Sequence, residues 1–192
     1  MGEVKNAVSL NYRYSGAWGE ISTRINARQN VISIFIALTF PVLGLCLTDD
    51  SFSILLWLIP PVTVLSTLLV KMHEEMIGNL HNYCRWCEQI DNDEGELPSY
   101  HVDSDPWSSK NPKIRNKNDI VLQFLFNLPI VTAISVLLNV NSVWWDKGQY
   151  QSILGAAIVF LGCLIFSIYT LGSIKNTREN LYNQIWSPRP HT

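Results

Sequence analysis

Four long runs without a charged residue constrain this chain more than any other feature. They cover residues 29–48, 51–70, 120–145 and 148–174, and together they hold 93 of the 192 residues. A helix of a soluble domain needs a polar face toward water, so a soluble domain of this size cannot bury four such runs. A bilayer accepts them, because a membrane-spanning helix needs about 20 mostly apolar residues. The runs therefore exclude a soluble globular enzyme, a nucleic-acid-binding domain and a secreted disulfide scaffold.

The same runs predict an all-α membrane protein with four transmembrane helices. In hydrocarbon every backbone polar group must find its partner within the protein, and a helix achieves this within one segment. The predicted spans are about 31–47, 52–70, 120–140 and 152–173. We expect them to form a single transmembrane domain over residues 1–192, with a helix and a loop outside the membrane over 71–118.

The distribution of basic residues predicts the orientation of these spans. Of the 14 lysines and arginines, all except Lys147 lie before span one, between spans two and three, or after span four. The positive-inside rule places those segments in the cytoplasm. We therefore expect both termini and residues 71–118 to be cytoplasmic, in a multi-pass protein of the bacterial inner (cell) membrane.

Helical patterns continue beyond the spans on the predicted cytoplasmic side. A helix from Ser15 should run into span one without a break, because residues 21–40 contain neither glycine nor proline. Span two should continue over 71–90, and a further helix is expected over 175–186. Residues 91–118 read as a loop, since they contain three prolines and many polar residues. The leader before span one is too long for a cleaved signal peptide, so we expect an uncleaved chain.

Span three carries an unusual number of polar side chains for a membrane helix. Polar groups at this depth usually face a bundle interior or a water-filled cavity. They either line a pore or form interhelical hydrogen bonds, and the sequence leaves both interpretations open. These candidate residues are Gln123, Asn127, Thr132, Ser135 and Asn139.

Prolines and glycines mark two further candidate features. The doublet Pro60 and Pro61 in span two is a candidate hinge, because proline removes a backbone donor and interrupts a helix. Gly155 and Gly162 in span four are seven residues apart, and small residues permit close helix approach. They predict a helix contact, either within one protomer or between two copies.

Catalytic and metal-binding motifs receive little support. His81, Cys84 and Cys87 lie three residues apart, but the cluster lacks a second pair of ligands, so buried cysteines are the favoured interpretation. We predict no enzyme activity, no metal, no cofactor and no specific nucleic-acid binding. The spans contain no Asp, Glu, Lys, Arg or His, which argues against a proton-coupled transporter.

Two stretches resemble known membrane proteins. Residues 12–47 read YRYSGAWGEISTRINARQNVISIFIALTFPVLGLCL, and residues 73–86 read HEEMIGNLHNYCRW. Together with the four-span layout, they resemble the membrane subunits of bacterial anti-phage defence systems, most closely that of Hailong and next that of Kiwa. The resemblance implies an oligomeric inner-membrane effector or sensor. It also implies control by a separate cytoplasmic protein or a nucleotide-type signal.

Two functions remain open on these grounds. The first is a homo-oligomeric channel that depolarises the membrane when it is triggered, as an abortive-infection effector would. The second is a membrane sensor or scaffold that recruits a cytoplasmic effector protein. In either case the expected partners are the lipid membrane, further copies of this chain, and a cytoplasmic protein or nucleotide-type ligand at 71–118. A third and less favoured candidate function is that of a small transporter or a holin.

Overall fold

The computed structural model describes residues 10–91, 112–140 and 150–184, and in these ranges the chain is helical and contains no strand. The α-helices are α1 Leu10–Thr48, α2 Ile59–Asp91, α3 Pro112–Val140 and α4 Tyr150–Gln184. A 3-10 helix, Asp50–Leu58, connects α1 to α2. Within the described ranges, four helices are long and apolar enough to cross a membrane. The predicted all-α fold with four apolar helices is therefore confirmed.

The helices extend well past the predicted spans. α1 has 39 residues and is about 58 Å long, roughly twice the thickness of a hydrocarbon core. The expected helical continuations of spans one and two are confirmed by α1 and α2. The helix expected over 175–186 is confirmed as far as Gln184, and residues 185–186 lie outside the described residues. That these extensions are cytoplasmic stays a prediction.

The predicted loop over 91–118 is wrong at its end, because α3 already begins at Pro112. Proline is a common loop residue, but it also suits the first turn of a helix. Its fixed φ matches the helix there, and its missing N–H would have no intrahelical partner. The remaining loop positions, 92–111, lie outside the described residues.

The connection between α1 and α2 is a tight turn with its own cap. The side chain of Asp49 accepts a hydrogen bond from the backbone N–H of Ser51 at 2.9 Å and caps the 3-10 helix. This bond holds the pKa of the Asp49 carboxyl below its usual value. We call this side of the bundle the hairpin end, and the opposite side the extension end.

Pro60 and Pro61 lie in the first turn of α2, where the 3-10 helix gives way to the α-helix. Neither proline can donate a backbone hydrogen bond, so two successive α-helical bonds to the preceding turn cannot form. The cap instead uses a shorter bond, from the N–H of Ile59 to the carbonyl of Leu56. The predicted break therefore coincides with a change of helix type, whereas movement at this point stays a prediction.

Three apolar clusters hold the bundle together at different heights. The hairpin-side cluster includes Leu43, Ile59, Ile130 and Phe160. The central cluster is built from Phe35, Val70, Phe126, Leu171 and Ile174. The extension cluster contains Ala17, Ile21, Ile77 and Cys84, and it joins α1 to α2 alone. The order of these contacts along each helix shows that consecutive helices run antiparallel, and α2 touches all three other helices.

Candidate functional site

Buried polar side chains lie on the helices in the region where the hairpin-side cluster meets the central cluster. On α1, for example, Thr39 lies between Phe35 of the central cluster and Leu43 of the hairpin-side cluster, whereas on α2 Val62, which packs against the central cluster, directly precedes Thr63. Six hydroxyl side chains in this region are each less than a tenth exposed. The members of this polar layer are Thr39, Thr63, Ser66, Thr67, Asn127, Ser167 and Thr170.

Four side chains of the polar layer donate a hydrogen bond to a carbonyl of their own helix. Thr39 Oγ1 donates to the carbonyl of Phe35 at 2.7 Å, and Thr63 Oγ1 donates to that of Ile59 at 2.8 Å. Thr67 Oγ1 bonds the carbonyl of Val64 at 2.9 Å. Each of these hydroxyls donates its single hydrogen to a carbonyl, and its oxygen can still accept a hydrogen bond.

Two buried oxygens of the layer have no hydrogen-bond partner among the described residues. One is Oγ of Ser167, which is fully buried on α4. The other is Oδ1 of Asn127 on α3, whose Nδ2 donates to the carbonyl of Gln123 at 2.7 Å. An unsatisfied polar atom in an apolar interior costs about 1–3 kcal/mol. Such atoms therefore need an explanation.

An ion pair joins α1 to α2 toward the extension end. Nη1 of Arg28 donates to Oε1 of Glu74, whose side chain is only 5% exposed. His73 and Arg85, also on α2, are buried as well. Removing one member of a buried pair leaves an uncompensated charge, which usually costs about 3–5 kcal/mol. The pair therefore helps to fix how α1 is rotated about its axis relative to α2.

The outward face of α1 carries only small or polar side chains along the membrane segment. They recur every three or four residues, roughly opposite the buried positions Phe35, Thr39 and Leu43. Larger side chains, such as Ile34 and Phe40, are exposed on the two flanks. We call this set the α1 row: it consists of Asn30, Ser33, Ala37, Pro41, Gly44 and Thr48, all exposed.

The outward faces of the other helices are different. α4 exposes Ile158, Ile165 and Tyr169, each more than 60% exposed, and α3 exposes Val121 and Phe124 to a similar extent. Large apolar side chains of this kind are suited to contact with lipid tails. The α1 row is therefore the exception among the outward faces of the bundle.

The structure does not gather the predicted polar residues of span three on one face. Gln123 and Asn127 are half-buried on one flank of α3, and Thr132 is half-buried on the other. Ser135 is exposed, and both Thr132 and Ser135 donate to backbone carbonyls four residues earlier, those of Leu128 and Val131. Asn139 lies in the last turn of α3, where side chains are not described. The interpretations as pore lining or interhelical bonding remain predictions.

Gly155 and Gly162 face outward on α4, and a Cβ atom built on either would meet nothing within 4 Å. They therefore make no close helix contact inside the protomer. Of the two predicted alternatives, a contact between copies is the one that this geometry leaves open.

His81, Cys84 and Cys87 of α2 lie where α2 packs against α1. Cys84 and Cys87 are buried free thiols, and Cys84 belongs to the extension cluster. The ring of His81 lies edge-on to Trp18 of α1 at 6.2 Å between centroids. In the part of the chain that the structure describes, no group of three or more His, Cys, Asp or Glu side chains is placed to hold a metal ion.

The sequence draws attention to the polar residues of α3 but not to the hydroxyls of α2 or to the α1 row. The signals were present. Thr63 and Thr67 are four residues apart, and the α1 row follows spacings of three and four. What was missing is the rotation of each helix, since polar residues at helical spacing do not reveal whether they face the bundle interior or its outside.

In comparisons with protein-family models, with curated proteins and with solved structures, no match to this chain was found. The resemblance to the Hailong and Kiwa membrane subunits therefore stays a prediction.

Proposed function

We propose that this protein is a homo-oligomeric membrane channel in which α1 of each copy faces the central axis. The α1 row carries this proposal. In a lone protomer it would place Asn30, Ser33 and the exposed backbone of Gly44 against lipid, although polar groups in membrane helices usually face protein or water. A ring of copies around an axis removes this mismatch and lets small side chains approach closely.

The interior of one protomer is less suited to a conduit. Phe35, Phe126 and Phe160 are fully buried at the helix contacts, with the rings of Phe35 and Phe126 only 4.5 Å apart between centroids. A packed four-helix bundle fills its own centre with side chains. A path for ions therefore forms more readily between copies than within one.

The proposed activity is depolarisation of the bacterial inner membrane when the channel opens. The positive-inside distribution supports an orientation with α1 entering from the cytoplasm. The long helical extensions then present a cytoplasmic surface on which a partner or ligand can bias a closed-to-open equilibrium. The resemblance to anti-phage membrane subunits supports a role as an abortive-infection effector.

The test uses the full-length protein in liposomes that hold a potassium diffusion potential, with and without lysate from phage-infected cells. We expect lysate-dependent loss of the potential, reported by a potential-sensitive dye. Ser33→Leu should block most of this loss, since it narrows the proposed pore. Ser135→Leu is the matched control, because it makes the same change at an exposed serine of α3.

Two results would contradict the proposal. Loss of flux with Ser135→Leu but not with Ser33→Leu would move the pore wall to α3. If folded, oligomeric wild-type protein does not dissipate the potential in any condition, the protein is not a channel.

A second candidate function is a scaffold, and a groove at the extension end favours it. The groove has a volume of about 480 Å³ and lies between the extensions of α1 and α2, with Tyr12, Gly16, Leu80 and Tyr83 among its walls. The groove is shallow and open rather than an enclosed pocket, so it offers a surface for a partner protein and not a cavity for a small molecule. A scaffold would dock a cytoplasmic effector here without conducting ions.

The scaffold has its own matched pair of variants. A Cβ atom at Gly16 or at Gly19 meets nothing within 4 Å, but only Gly16 lines the groove. If the groove holds a partner, Gly16→Phe should abolish protection from phage while Gly19→Phe keeps it, with no conductance in either. Equal protection by both variants would exclude the groove as the docking site.

A further inference from the structure

We propose that residues 185–192 of this chain dock in the groove between the extensions of α1 and α2, with Trp186 and Pro188 against its apolar walls. The segment reads IWSPRPHT, follows α4 directly and lies outside the described residues. This contact does not depend on channel activity. It also goes beyond the scaffold, since any effector that uses the same groove must first displace the segment.

The first observation is that the groove continues a face of the α1–α2 pair that other helices cover within the membrane. Leu80 lines the groove, and Val62, five helical turns earlier on α2, packs against the central cluster, which contains Phe126 of α3. On α1, Ala17 of the groove lies five turns from Phe35, whose ring contacts Phe126. Among the residues whose side chains the structure describes, only α1 and α2 line the groove, so this face is open there.

The second observation is that α4 ends at about the height of the groove. Because consecutive helices run antiparallel, α2 and α4 run in the same direction, and they pack side by side. Val70 of α2 and Ile174 of α4 belong to the same cluster. Leu80 and Gln184 each lie about 15 Å further along their helices, at 1.5 Å per residue. The segment that follows Gln184 therefore starts beside the groove.

The third observation is that the segment is long enough to cover the groove. The groove follows α1 from Glu20 to Tyr12, a length of about 12 Å at 1.5 Å per residue. The axes of packed helices are about 8–10 Å apart, which sets the step from α4 to the groove. Residues 185–192 in a polyproline II conformation span about 25 Å at 3.1 Å per residue. That length covers both the step and the groove.

The composition of the segment fits the walls of the groove. These walls are mainly apolar and include two aromatic side chains, Tyr12 and Tyr83, with Gly16 between them. Proline-rich segments dock in grooves lined by aromatic side chains, because their polyproline II conformation is preformed and loses little entropy on binding. The segment contains Pro188 and Pro190 and no acidic residue. Tyr12 is 73% exposed, so docking would remove apolar surface from water.

The test measures how fast a water-soluble thiol reagent labels a cysteine placed in the groove of the full-length protein in nanodiscs. Gly16 and Gly19 both leave free space for a Cβ atom, but only Gly16 lines the groove. We expect Trp186→Ser combined with Pro188→Ser to speed the labelling of Gly16→Cys about tenfold, as for a segment docked about nine-tenths of the time. Labelling of the matched control, Gly19→Cys, should not change. The four native cysteines are buried or half-buried, so the wild type gives the background.

A cross-link then assigns the contact to one chain. Ser187→Cys keeps the tryptophan and both prolines of the segment. Under mild oxidation, Gly16→Cys combined with Ser187→Cys should form a disulfide within one chain, identified by mass spectrometry of the peptides. Gly19→Cys combined with Ser187→Cys is the matched control and should stay reduced. Both serine substitutions of the labelling test lie beyond α4, and far-UV circular dichroism checks that the helix content is unchanged.

Three outcomes would overturn the inference. If Gly16→Cys is labelled at the same rate with and without the two serine substitutions, the segment does not occupy the groove. If Trp107→Ser speeds the labelling instead, the connection between α2 and α3 is the occupant. If the disulfide joins two chains and doubles the mass, the groove receives the segment of a neighbouring copy.

Discussion

The outward faces of α1 and α4 differ although both helices are long and apolar enough to cross a membrane. α4 presents Ile158, Ile165 and Tyr169, and its glycines, Gly155 and Gly162, lie among these large side chains. α1 presents the α1 row, which contains no side chain larger than asparagine. The two helices have similar overall hydropathy, but the side chains on their outward faces differ. The difference suggests lipid on the outside of α4 and protein or water on the outside of α1.

The largest loss of stability should follow from breaking the ion pair that holds α1 against α2. Glu74→Gln breaks the ion pair with Arg28 and leaves the guanidinium without its counter-charge. We expect a loss of about 3 kcal/mol in the free energy of unfolding, at the low end for buried pairs because Arg28 is 24% exposed. Chemical denaturation in mild detergent measures this loss.

The matched control for that experiment is Glu20→Gln. Glu20 also pairs with an arginine of α1, Arg24 at 3.1 Å, but within one helix and at the surface. Exposed pairs contribute about 0–1 kcal/mol, so this variant should be close to the wild type. Equal losses in both variants would show that the rotation of α1 does not depend on Arg28 and Glu74.

The second largest effect should be on the oligomeric state. Gly44 and Gly162 are both exposed and have free space around a Cβ atom, so leucine at either position should leave the protomer folded. Gly44→Leu enlarges the α1 row and should dissociate the oligomer, whereas Gly162→Leu should not. Mass photometry in nanodiscs reads the result directly. Dissociation by Gly162→Leu alone would move the interface to α4, as the sequence allowed.

A smaller effect should appear in ion selectivity. Asn30→Asp adds one carboxylate per copy to the α1 row, and rings of carboxylates favour cations in pores. We expect the reversal potential in a salt gradient to shift toward that of the cation. Gln123→Glu adds the same charge on the flank of α3 and should leave the reversal potential unchanged, and a reversed pattern would favour a pore lined by α3.

The four apolar helices could be predicted from the sequence, because runs of about 20 residues without charge have the length and composition of membrane-spanning helices. The continuous helices α1 and α2 followed from the absence of glycine and proline over 21–40 and of proline over 71–90. The start of α3 at Pro112 was missed, because proline is read as a loop residue although it also suits the first turn of a helix.

The candidate site was harder to predict because it depends on how each helix is rotated. Ser33 and Ser135 look alike in the sequence, and both are exposed in the structure. They differ in their neighbours along the helix face, which are Asn30 and Ala37 for Ser33 but include the exposed Val131 for Ser135. That rotation is set by tertiary contacts, such as those of Phe35 with Phe126 and of Arg28 with Glu74, and a single sequence does not show them.

The most direct test of the central proposal is single-channel recording of Ser33→Cys in a planar bilayer during exposure to a water-soluble thiol reagent. The four native cysteines are buried or half-buried, so the wild-type protein serves as the background. If α1 lines the pore, openings triggered by lysate from phage-infected cells should be blocked in Ser33→Cys and persist in Ser135→Cys. Block of Ser135→Cys with unchanged current in Ser33→Cys would contradict a pore built from α1.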